Sequence, residues 1–386
     1  MRRPRPSLAF LDGAIVLSGV AATAGAALVL EDALPLKDGR TFDLTRWVWT
    51  LLATGVLLVF VRLRQRRART TGTLYYLRFL QEWMGDWHID ALARRDGQYL
   101  DQRVIGRWCT TVPNGRYVDV VDDVTAITAE LQRSMNDDRS DTGFTVAPNL
   151  LLPVAVSIGF DLYNWKGLRL EELFGNQRLS WVLTDSSRIH GFAEPVCIES
   201  GHDYGDAQSV LVTVDLTRQG ETTRPPGNYA RHYRVGVLAA GAEGALPSRP
   251  VQITTVPPPL TAAHTPAPAS PDDVALVHPR DAVSIAVAAI RCALHEHPDR
   301  CVVVAARMPK TVALGVGWAL ANQATIKHPG CGHTGCRQQA CLHPWTNLVV
   351  LQLNQDNDAG PYLFPRVHHG QPPLPHLVSR VGLGGA

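Results

Sequence analysis

A short segment near the C-terminus concentrates residues that bind transition metals. Residues 328–343 read HPGCGHTGCRQQACLH, with three cysteines and three histidines in sixteen positions. Thiolate and imidazole are the usual ligands of tetrahedral zinc, and a loop this short and polar has no core of its own to order it. The expected ligand set is Cys331, Cys336, Cys341 and His343.

His333 is an alternative fourth ligand of this zinc site, and an exposed redox-sensitive loop without metal is the alternative interpretation of the segment. The segment contains no Asp or Glu to act as a general base. Three thiolates without a base favour a closed structural zinc site over a catalytic one.

A second group of residues has the charge to hold a phosphate. Residues 302–317 read VVVAARMPKTVALGVG and combine a strand-like run, a break with proline and a helix-like run. Free N–H groups at the start of a helix favour an anion, and Arg307 and Lys310 add positive charge beside Thr311. We therefore expect this turn to contact phosphate, with a solvated loop as the alternative.

Another polar pair follows a clean apolar run. SVLVTVDL at 209–216 predicts a strand, and Thr217 and Arg218 come directly after it. A hydroxyl and a guanidinium at the end of a strand suit a phosphate, so both residues are expected ligand contacts. The chain contains no GxGxxG or P-loop pattern, so a standard dinucleotide or triphosphate site has no support.

The charged turn has an uncharged counterpart earlier in the chain. FTVAPNLLLPVAVSIG at 144–159 repeats the same design 158 residues earlier, with Pro148 and Asn149 in its break. The two copies are thus not equivalent. We expect the second to hold phosphate, and Pro148 and Asn149 to contact a base or a neighbouring subunit.

The repeat extends to both sides of these turns. Helical spacing at 122–135 has a counterpart at 281–294, and the strand-like run at 179–184 has one at 346–353. The order helix–strand–helix–strand therefore occurs twice, which predicts an α/β fold of two Rossmann-type halves related by a pseudo-twofold. Ligands of open parallel sheets bind beyond the carboxyl ends of the strands. Chance likeness between two ordinary βα units is the alternative.

The first seventy residues have the composition of a membrane module. Residues 13–30 contain no charge, and residues 47–61 form a second apolar run. A helix needs about 20 apolar residues to cross the hydrocarbon layer, so we expect spans at about 9–30 and 45–63. A cleaved signal peptide is the alternative for the first run, and the second run weakens it.

Basic residues flank both expected spans and set their orientation. They are Arg2, Arg3 and Arg5 before the first span, and Arg62, Arg64, Arg66, Arg67 and Arg69 after the second. The positive-inside rule places both ends in the cytoplasm. The first span also has a series of small residues, typical of close helix packing, although a simple anchor is the alternative. These are Gly13, Ser18, Gly19, Ala22, Gly25 and Ala26.

Residues 71–110 are expected to connect the membrane module to the rest of the chain. Four aromatic residues recur there every four positions, which predicts one face of a helix. They are Tyr75, Phe79, Trp83 and Trp87.

Composition excludes several other classes. The net charge of +2 gives no argument for a polyanion partner, and seven irregularly spaced cysteines argue against a disulfide-stapled domain. Cys197, Cys292 and Cys301 lie in or beside apolar runs and are expected to be inert core thiols. No histidine lies in a recognisable nucleophile motif, so we do not expect an enzyme.

Taken in order, the segments of the chain resemble those of the transmembrane-SAVED effectors of bacterial CBASS anti-phage defence. The matching segments cover roughly 110–370. They are DTGFTVAPNLLLPVAVSIG (141–159), SVLVTVDLTR (209–218), AIRCAL (289–294), VVVAARMPKTVALGVGWAL (302–320) and PYLFPRVH (361–368). The Cys/His segment at 328–343 is not expected across that family.

This resemblance implies a fold and a function. SAVED domains are two fused CARF-like halves, and the family binds cyclic di-, tri- or tetranucleotides made by a cognate nucleotidyltransferase. Ligand binding stacks the domains head to tail and switches on the attached effector part. The resemblance thus implies a multi-pass protein of the bacterial inner membrane whose clustered spans disrupt the membrane and cause abortive infection.

The expected domain organisation follows from these segments. It is a two-helix membrane module at 1–70, a connector at 71–110, a first half at 111–205, a second half at 206–370 and a flexible tail at 371–386. Two other functions remain open. One is a membrane-anchored sensor that signals to a partner protein, and the other is a metal-dependent nuclease that degrades the messenger.

Overall fold

The computed structural model of this 386-residue chain describes most of its secondary structure. The described residues are 8–33, 44–70, 72–81, 84–86, 88–95, 98–109, 117–138, 143–165, 167–173, 179–183, 196–199, 207–216, 229–235, 251–253, 275–322, 342–353, 362–363 and 366–381. The chain forms two compact units. The first contains Met1–Leu74, Arg95–Gln102 and Asp138–Phe144, and the second contains Tyr75–Arg94, Arg103–Asp137 and Thr145–Ala386.

The first unit contains two long apolar helices. They are α1 (Leu8–Ala33) and α2 (Leu44–Thr70). Phe10–Leu30 and Leu44–Gln65 are long and apolar enough to cross a membrane, with mean hydropathies of 2.0 and 1.8. These segments overlap the two spans that the sequence predicts.

Two contacts show that α1 and α2 pack antiparallel. Arg64 Nε lies 2.5 Å from Asp12 Oδ1 near one end of the pair. Farther along, a Cβ added at Gly25 would lie 2.6 Å from Thr50 Oγ1, so the glycine permits this approach. Within the described part of the chain, Gly13 and Gly19 have no atom within 4 Å of an added Cβ. The small residues of the first span therefore divide between the helix pair and its open side.

Most of the second unit is built on two sheets, and the first has five strands. They are β1 (Thr73–Gln81), β2 (Asp101–Cys109), β3 (Phe144–Leu150), β4 (Arg169–Glu172) and β5 (Leu179–Val182), in the order β2-β1-β3-β4-β5. The helices are α3 (Ile89–Ala93), α4 (Val121–Asn136) and α5 (Leu152–Asp161). β4 is parallel to β3 and antiparallel to β5.

The helix expected from the aromatic spacing at 75–87 is wrong. Residues 73–81 form β1, and eight of its nine residues are buried. A spacing of four keeps Tyr75 and Phe79 on one face of a strand as well as of a helix, because strand side chains alternate with a period of two. Burial on both sides of the sheet selects the strand. β1 and β2 thus belong to the sheet rather than to a separate linking helix.

The second sheet has six strands. They are β6 (Val196–Glu199), β7 (Ser209–Asp215), β8 (His232–Val235), β11 (Cys301–Arg307), β12 (Leu348–Leu353) and β13 (Tyr362–Leu363), in the order β13-β12-β11-β7-β8-β6. β9 (Val251–Ile253) and β10 (Ala275–Val277) form a separate parallel pair. β11 runs parallel to both β7 and β12. β6, which lies in the sequence range assigned to the first half, pairs with β8.

Three helices accompany this sheet, and the last lies in the expected tail. They are α6 (Pro279–Glu296), α7 (Lys310–Ala321) and α8 (Leu374–Val381). Leu377 and Val381 are 2 % and 1 % exposed and pack with Val303 and Leu351 in one core cluster. The alternation of apolar residues three and four apart makes this segment an amphipathic helix, so residues 374–381 are not a free tail.

The two halves share one topology. β3, α5, β4 and β5 follow each other as β11, α7, β12 and β13 do, and β1 lies beside β3 as β7 lies beside β11. In each half, a helix connects two parallel neighbouring strands, and an antiparallel strand forms the edge of the sheet. The predicted α/β fold with a duplicated half is confirmed.

The contact between α5 and α7 repeats the same symmetry residue by residue. A Cβ added at Gly159 would overlap the Leu314 carbonyl oxygen, and one added at Gly317 would overlap the Val156 carbonyl oxygen. Gly317 lies 158 positions after Gly159, and Leu314 lies 158 positions after Val156. Reciprocal contacts of this kind define an isologous interface, here between two halves of one chain.

We predict that Gly317→Ala destabilises the second unit by about 2–3 kcal/mol, because the methyl group must push two helix backbones apart. The buried side chains of Trp318 and Trp345 report the transition by fluorescence during thermal unfolding of the detergent-solubilised protein. Gly55→Ala is the control, since nothing lies within 4 Å of its added Cβ. Wild-type unfolding of Gly317→Ala would contradict the close crossing.

Candidate functional site

The two repeated turns occupy equivalent positions at the ends of strands. β3 ends at Leu150 and β11 at Arg307, and the residues that precede the two helices have nearly the same conformation. Leu151 has φ −60° and ψ 144°, and Pro309 has φ −56° and ψ 148°. Counting from these positions, Asn149 corresponds to Arg307. The sequence places Pro148 and Asn149 in the break between strand and helix. In the structure both are instead buried residues of β3.

At the start of α7, a carboxylate occupies the place expected for phosphate. The Thr311 backbone N–H donates to Glu172 Oε2 at 3.1 Å, and its hydroxyl donates to the same oxygen at 2.8 Å. Thr311 is fully buried. Glu172 belongs to β4 of the other half, so the N-terminus of α7 is capped across the two halves.

Lys310 is the first residue of α7 and directly precedes Thr311. Its burial lowers the pKa of the ammonium group because a charge is disfavoured away from water, and the Glu172 carboxylate partly opposes this effect. Lys310 and the Glu172 carboxylate thus both lie at the start of α7, where the sequence predicts phosphate.

The start of α5 has the corresponding cap. The Leu152 backbone N–H donates to Gln352 Oε1 at 2.7 Å, and Gln352 belongs to β12 of the second half. Arg169 lies opposite Thr145 as Val349 lies opposite Val303, which makes Glu172 and Gln352 equivalent in register. Each half therefore caps the helix of the other, once with a carboxylate and once with an amide.

Asn149 lies in a buried polar network rather than in an open turn. Its Nδ2 donates to Tyr76 Oη at 2.8 Å and to Asp86 Oδ1 at 3.0 Å, and Tyr76 donates to the same carboxylate oxygen at 2.5 Å. Burial and then the hydrogen bond to Asp86 raise the pKa of Tyr76. Arg78 Nη1 lies 3.6 Å from Asp86 Oδ2, and its guanidinium stacks over Trp108 at 4.6 Å.

Asp86 follows the carboxyl end of β1, which lies beside the end of β3. The Leu151 N–H donates to the Phe79 carbonyl at 3.1 Å, and Gly72 lies against Gly143 at the other ends of the strands. β1 and β3 thus run in the same direction. Asp86 and Asn149 meet at the edge where parallel sheets hold ligands.

The structure describes only some of the remaining predicted site residues. Arg307 lies opposite Asp215 in the register between β11 and β7. Thr217 and Arg218 fall outside the described residues, as do Cys331, Cys336 and Cys341. His343 is described and is exposed beside the short 3-10 helix Pro344–Thr346.

The zinc ligand set stays a prediction. Among the described residues, no three His, Cys, Asp or Glu side chains lie close enough to hold a metal ion. The three cysteines of the 328–343 segment lie outside those residues.

The described thiols do not form a reactive centre. Burial raises the pKa of Cys109 to about 11 and the pKa of Cys292 and Cys301 each to about 12. Cys292 and Cys301 are buried as the sequence predicts. The side chain of Cys197 lies outside the described part of the chain.

Sequence reasoning missed the residues that connect the halves and the strands. Glu172, Gln352, Tyr76 and Asp86 carry no motif of their own. The one usable signal is their position, since Asp86, Glu172 and Gln352 lie at or just beyond strand ends in the sequence.

The chain is similar to known proteins in structure but not in sequence. No protein-family model matches the chain, and no curated protein matches it. Among solved structures, the chain is similar to the SAVED/CARF-domain-containing receptor Cap4 of Acinetobacter baumannii with the cyclic trinucleotide 2'3'3'-cAAA, at a TM-score of 0.34 and 9% identity. A second structure of that receptor, with 3'3'3'-cAAA, gives a TM-score of 0.36 and 8% identity.

The alignments cover 83% of this chain and 59% and 60% of the two receptor chains. The chain thus spans about three fifths of their length. SAVED/CARF is the domain class that the sequence resembles. At these TM-scores and identities, the two alignments assign no residue role and no ligand.

We predict that Glu172→Ala destabilises the second unit by about 1–3 kcal/mol, because it leaves the buried Thr311 N–H and hydroxyl without their acceptor. Glu172→Gln keeps an oxygen acceptor, as Gln352 does in the other half, and should cost less. Thermal unfolding of the two variants against wild type measures the difference. Equal stability of Glu172→Ala and wild type would exclude the cross-half cap.

Proposed function

We propose that the protein is a cyclic-oligonucleotide-sensing membrane effector of bacterial anti-phage immunity. Ligand binding to its α/β domain drives oligomerisation, and the clustered N-terminal helices then disrupt the inner membrane and cause abortive infection. In this proposal the protein acts without catalysis. The sequence resemblance suggests the family, and the chain's own geometry supports the location of the site.

The observation that carries the proposal is the reciprocal capping by Glu172 and Gln352. It brings the strand ends of each half to the helix start of the other half. Arg307 and Lys310 lie at the turn from β11 to α7, and Asn149 lies near the end of β3 before α5. A cyclic oligonucleotide carries both phosphates and bases, so it suits a site with one cationic and one neutral turn.

Signalling then requires assembly. A heterologous surface that does not close on itself produces a filament, and a filament raises the effective concentration of the attached helices. In α1, Gly13 and Gly19 have no neighbouring atom within 4 Å of an added Cβ, so a further helix can approach closely there. The proposed assembly uses this side of the helix pair.

We predict that Arg307→Ala and Lys310→Ala each weaken binding of 3'3'3'-cAAA or another cyclic oligonucleotide by about tenfold or more, because each removes a charge that contacts phosphate. Titration calorimetry with the detergent-solubilised full chain measures this. Arg231→Ala is the control, since Arg231 precedes the amino end of β8 and pairs with Glu296, away from the carboxyl ends of the strands. Unchanged affinity in both variants would remove this turn from the site.

The membrane part of the proposal has a separate test. We expect the ligand to cause dye leakage from proteoliposomes of phosphatidylethanolamine and phosphatidylglycerol that contain the wild-type protein. Replacing residues 1–66 with an unrelated two-span anchor should abolish leakage while ligand-induced oligomerisation persists. Toxicity that survives the replacement would instead support a membrane-anchored sensor that signals to a partner protein.

A further inference from the structure

Three polar atoms at the end of β1 have no hydrogen-bond partner within the described part of the chain. They are Asp86 Oδ2, Arg78 Nε and His88 Nδ1, and all three are buried. The side chain of Asp86 is 5% exposed, and its Oδ2 forms an ion pair with Arg78 Nη1 at 3.6 Å, which is too long for a hydrogen bond. Buried polar groups are almost always paired, so a group of unpaired ones indicates a missing partner.

The neighbouring residues hold these atoms in place. Asp86 Oδ1 accepts from Tyr76 at 2.5 Å, from Asn149 at 3.0 Å and from the His88 backbone N–H at 3.3 Å. This leaves the other carboxylate oxygen as the open acceptor. The guanidinium of Arg78 is fixed by its stacking on Trp108 at 4.6 Å, which leaves Nε as an open donor beside it.

A second cluster in the same unit shows what a closed arrangement looks like. Glu296 Oε2 accepts from Tyr233 at 2.5 Å and lies 3.4 Å from Arg231 Nη1, and its Oε1 accepts from the Cys292 thiol at 3.1 Å. Both oxygens of Glu296 are thus occupied. Both clusters contain a tyrosine, a carboxylate and an arginine. They differ in that Asp86 keeps one oxygen without a hydrogen-bond donor, whereas Glu296 does not.

The two clusters also lie at opposite ends of their parallel strands. Glu296 ends α6 and precedes β11, so it lies toward the amino end of a parallel strand. Asp86 follows the carboxyl end of β1, where ligands bind. The open cluster is therefore the one at the edge of the sheet that holds ligands.

The open atoms select a ligand chemistry. A phosphate would face the charge of Asp86, and a metal ion would face the charge of Arg78. A neutral group with an N–H donor beside an acceptor matches Asp86 Oδ2 and Arg78 Nε together. The edges of nucleobases have this arrangement, and unstacked bases are recognised by such hydrogen bonds together with aromatic or arginine planes.

We propose that Asp86 and Arg78 read the hydrogen-bonding edge of one nucleobase of the cyclic oligonucleotide. Tyr76 and Asn149 position the carboxylate, and Trp108 positions the guanidinium. This inference rests on the proposed function and adds to it the residues that set base preference. Because Asp86 Oδ2 is buried, the side chains around it must shift to admit the base.

The experiment measures base preference rather than affinity alone. The full chain in detergent is titrated with 3'3'3'-cAAA, cyclic di-AMP, cyclic di-GMP and cyclic di-UMP. Asp86→Asn replaces the open acceptor with a donor, and Arg78→Lys keeps the charge but removes Nε. We expect each substitution to reduce the ratio between the best and the worst probe by at least about tenfold, because a site that hydrogen-bonds a base loses discrimination with its partner.

Glu296→Gln is the matched control, and it should leave the ratios unchanged. Thermal unfolding of Asp86→Asn and Arg78→Lys identifies a variant that does not fold. The titration of the other variant then tests base reading. Variants that bind more weakly but keep the wild-type ratios between probes would overturn base reading. A wild-type protein that binds none of the probes would instead count against the proposed function.

Discussion

The close contact of α5 with α7 is the constraint on which the second unit depends. Gly159 and Gly317 let two helix backbones touch, since a Cβ on either residue would overlap a carbonyl oxygen of the other helix. Each helix follows directly from a central strand of its own sheet, so this contact fixes the two sheets relative to each other. A shift by one residue would bring Ile158 or Val316 to the crossing, and the branched side chain of either would hold the two backbones apart. The packing therefore selects a single register.

The same contact decides the electrostatics of the candidate site. It places Glu172 of one half on the start of α7 and Gln352 of the other half on the start of α5. A negative charge is favourable at a helix N-terminus, so Glu172 stabilises α7 in the absence of ligand. Under the proposed function, a phosphate that reaches Thr311 has to replace this carboxylate. The binding free energy of the phosphate is then reduced by the free energy with which the Glu172 carboxylate already stabilises the start of α7. At the start of α5 the cap is the neutral amide of Gln352, so no charge has to be displaced there.

The helix pair of the first unit is held by different means. Its contacts combine one ion pair, Asp12 with Arg64, with the close approach of Gly25 to Thr50. Small residues and polar contacts are also the usual means by which helices pack in lipid, where hydrophobic burial contributes little. Gly13 and Gly19 are not used by this pairing.

The sequence by itself determined the features that are local. The two turns of 144–159 and 302–317, the two long apolar helices and the burial of Cys292 and Cys301 follow from short patterns of apolar residues, proline and glycine. Only the tertiary structure decided that Asp86 and Tyr76 join Asn149, that Glu172 caps a helix 139 positions away, and that residues 73–81 form a strand. The physical reason is that a spacing of four fits one face of a helix and of a strand alike, and that hydrogen bonds between distant residues depend on how the sheets and helices pack.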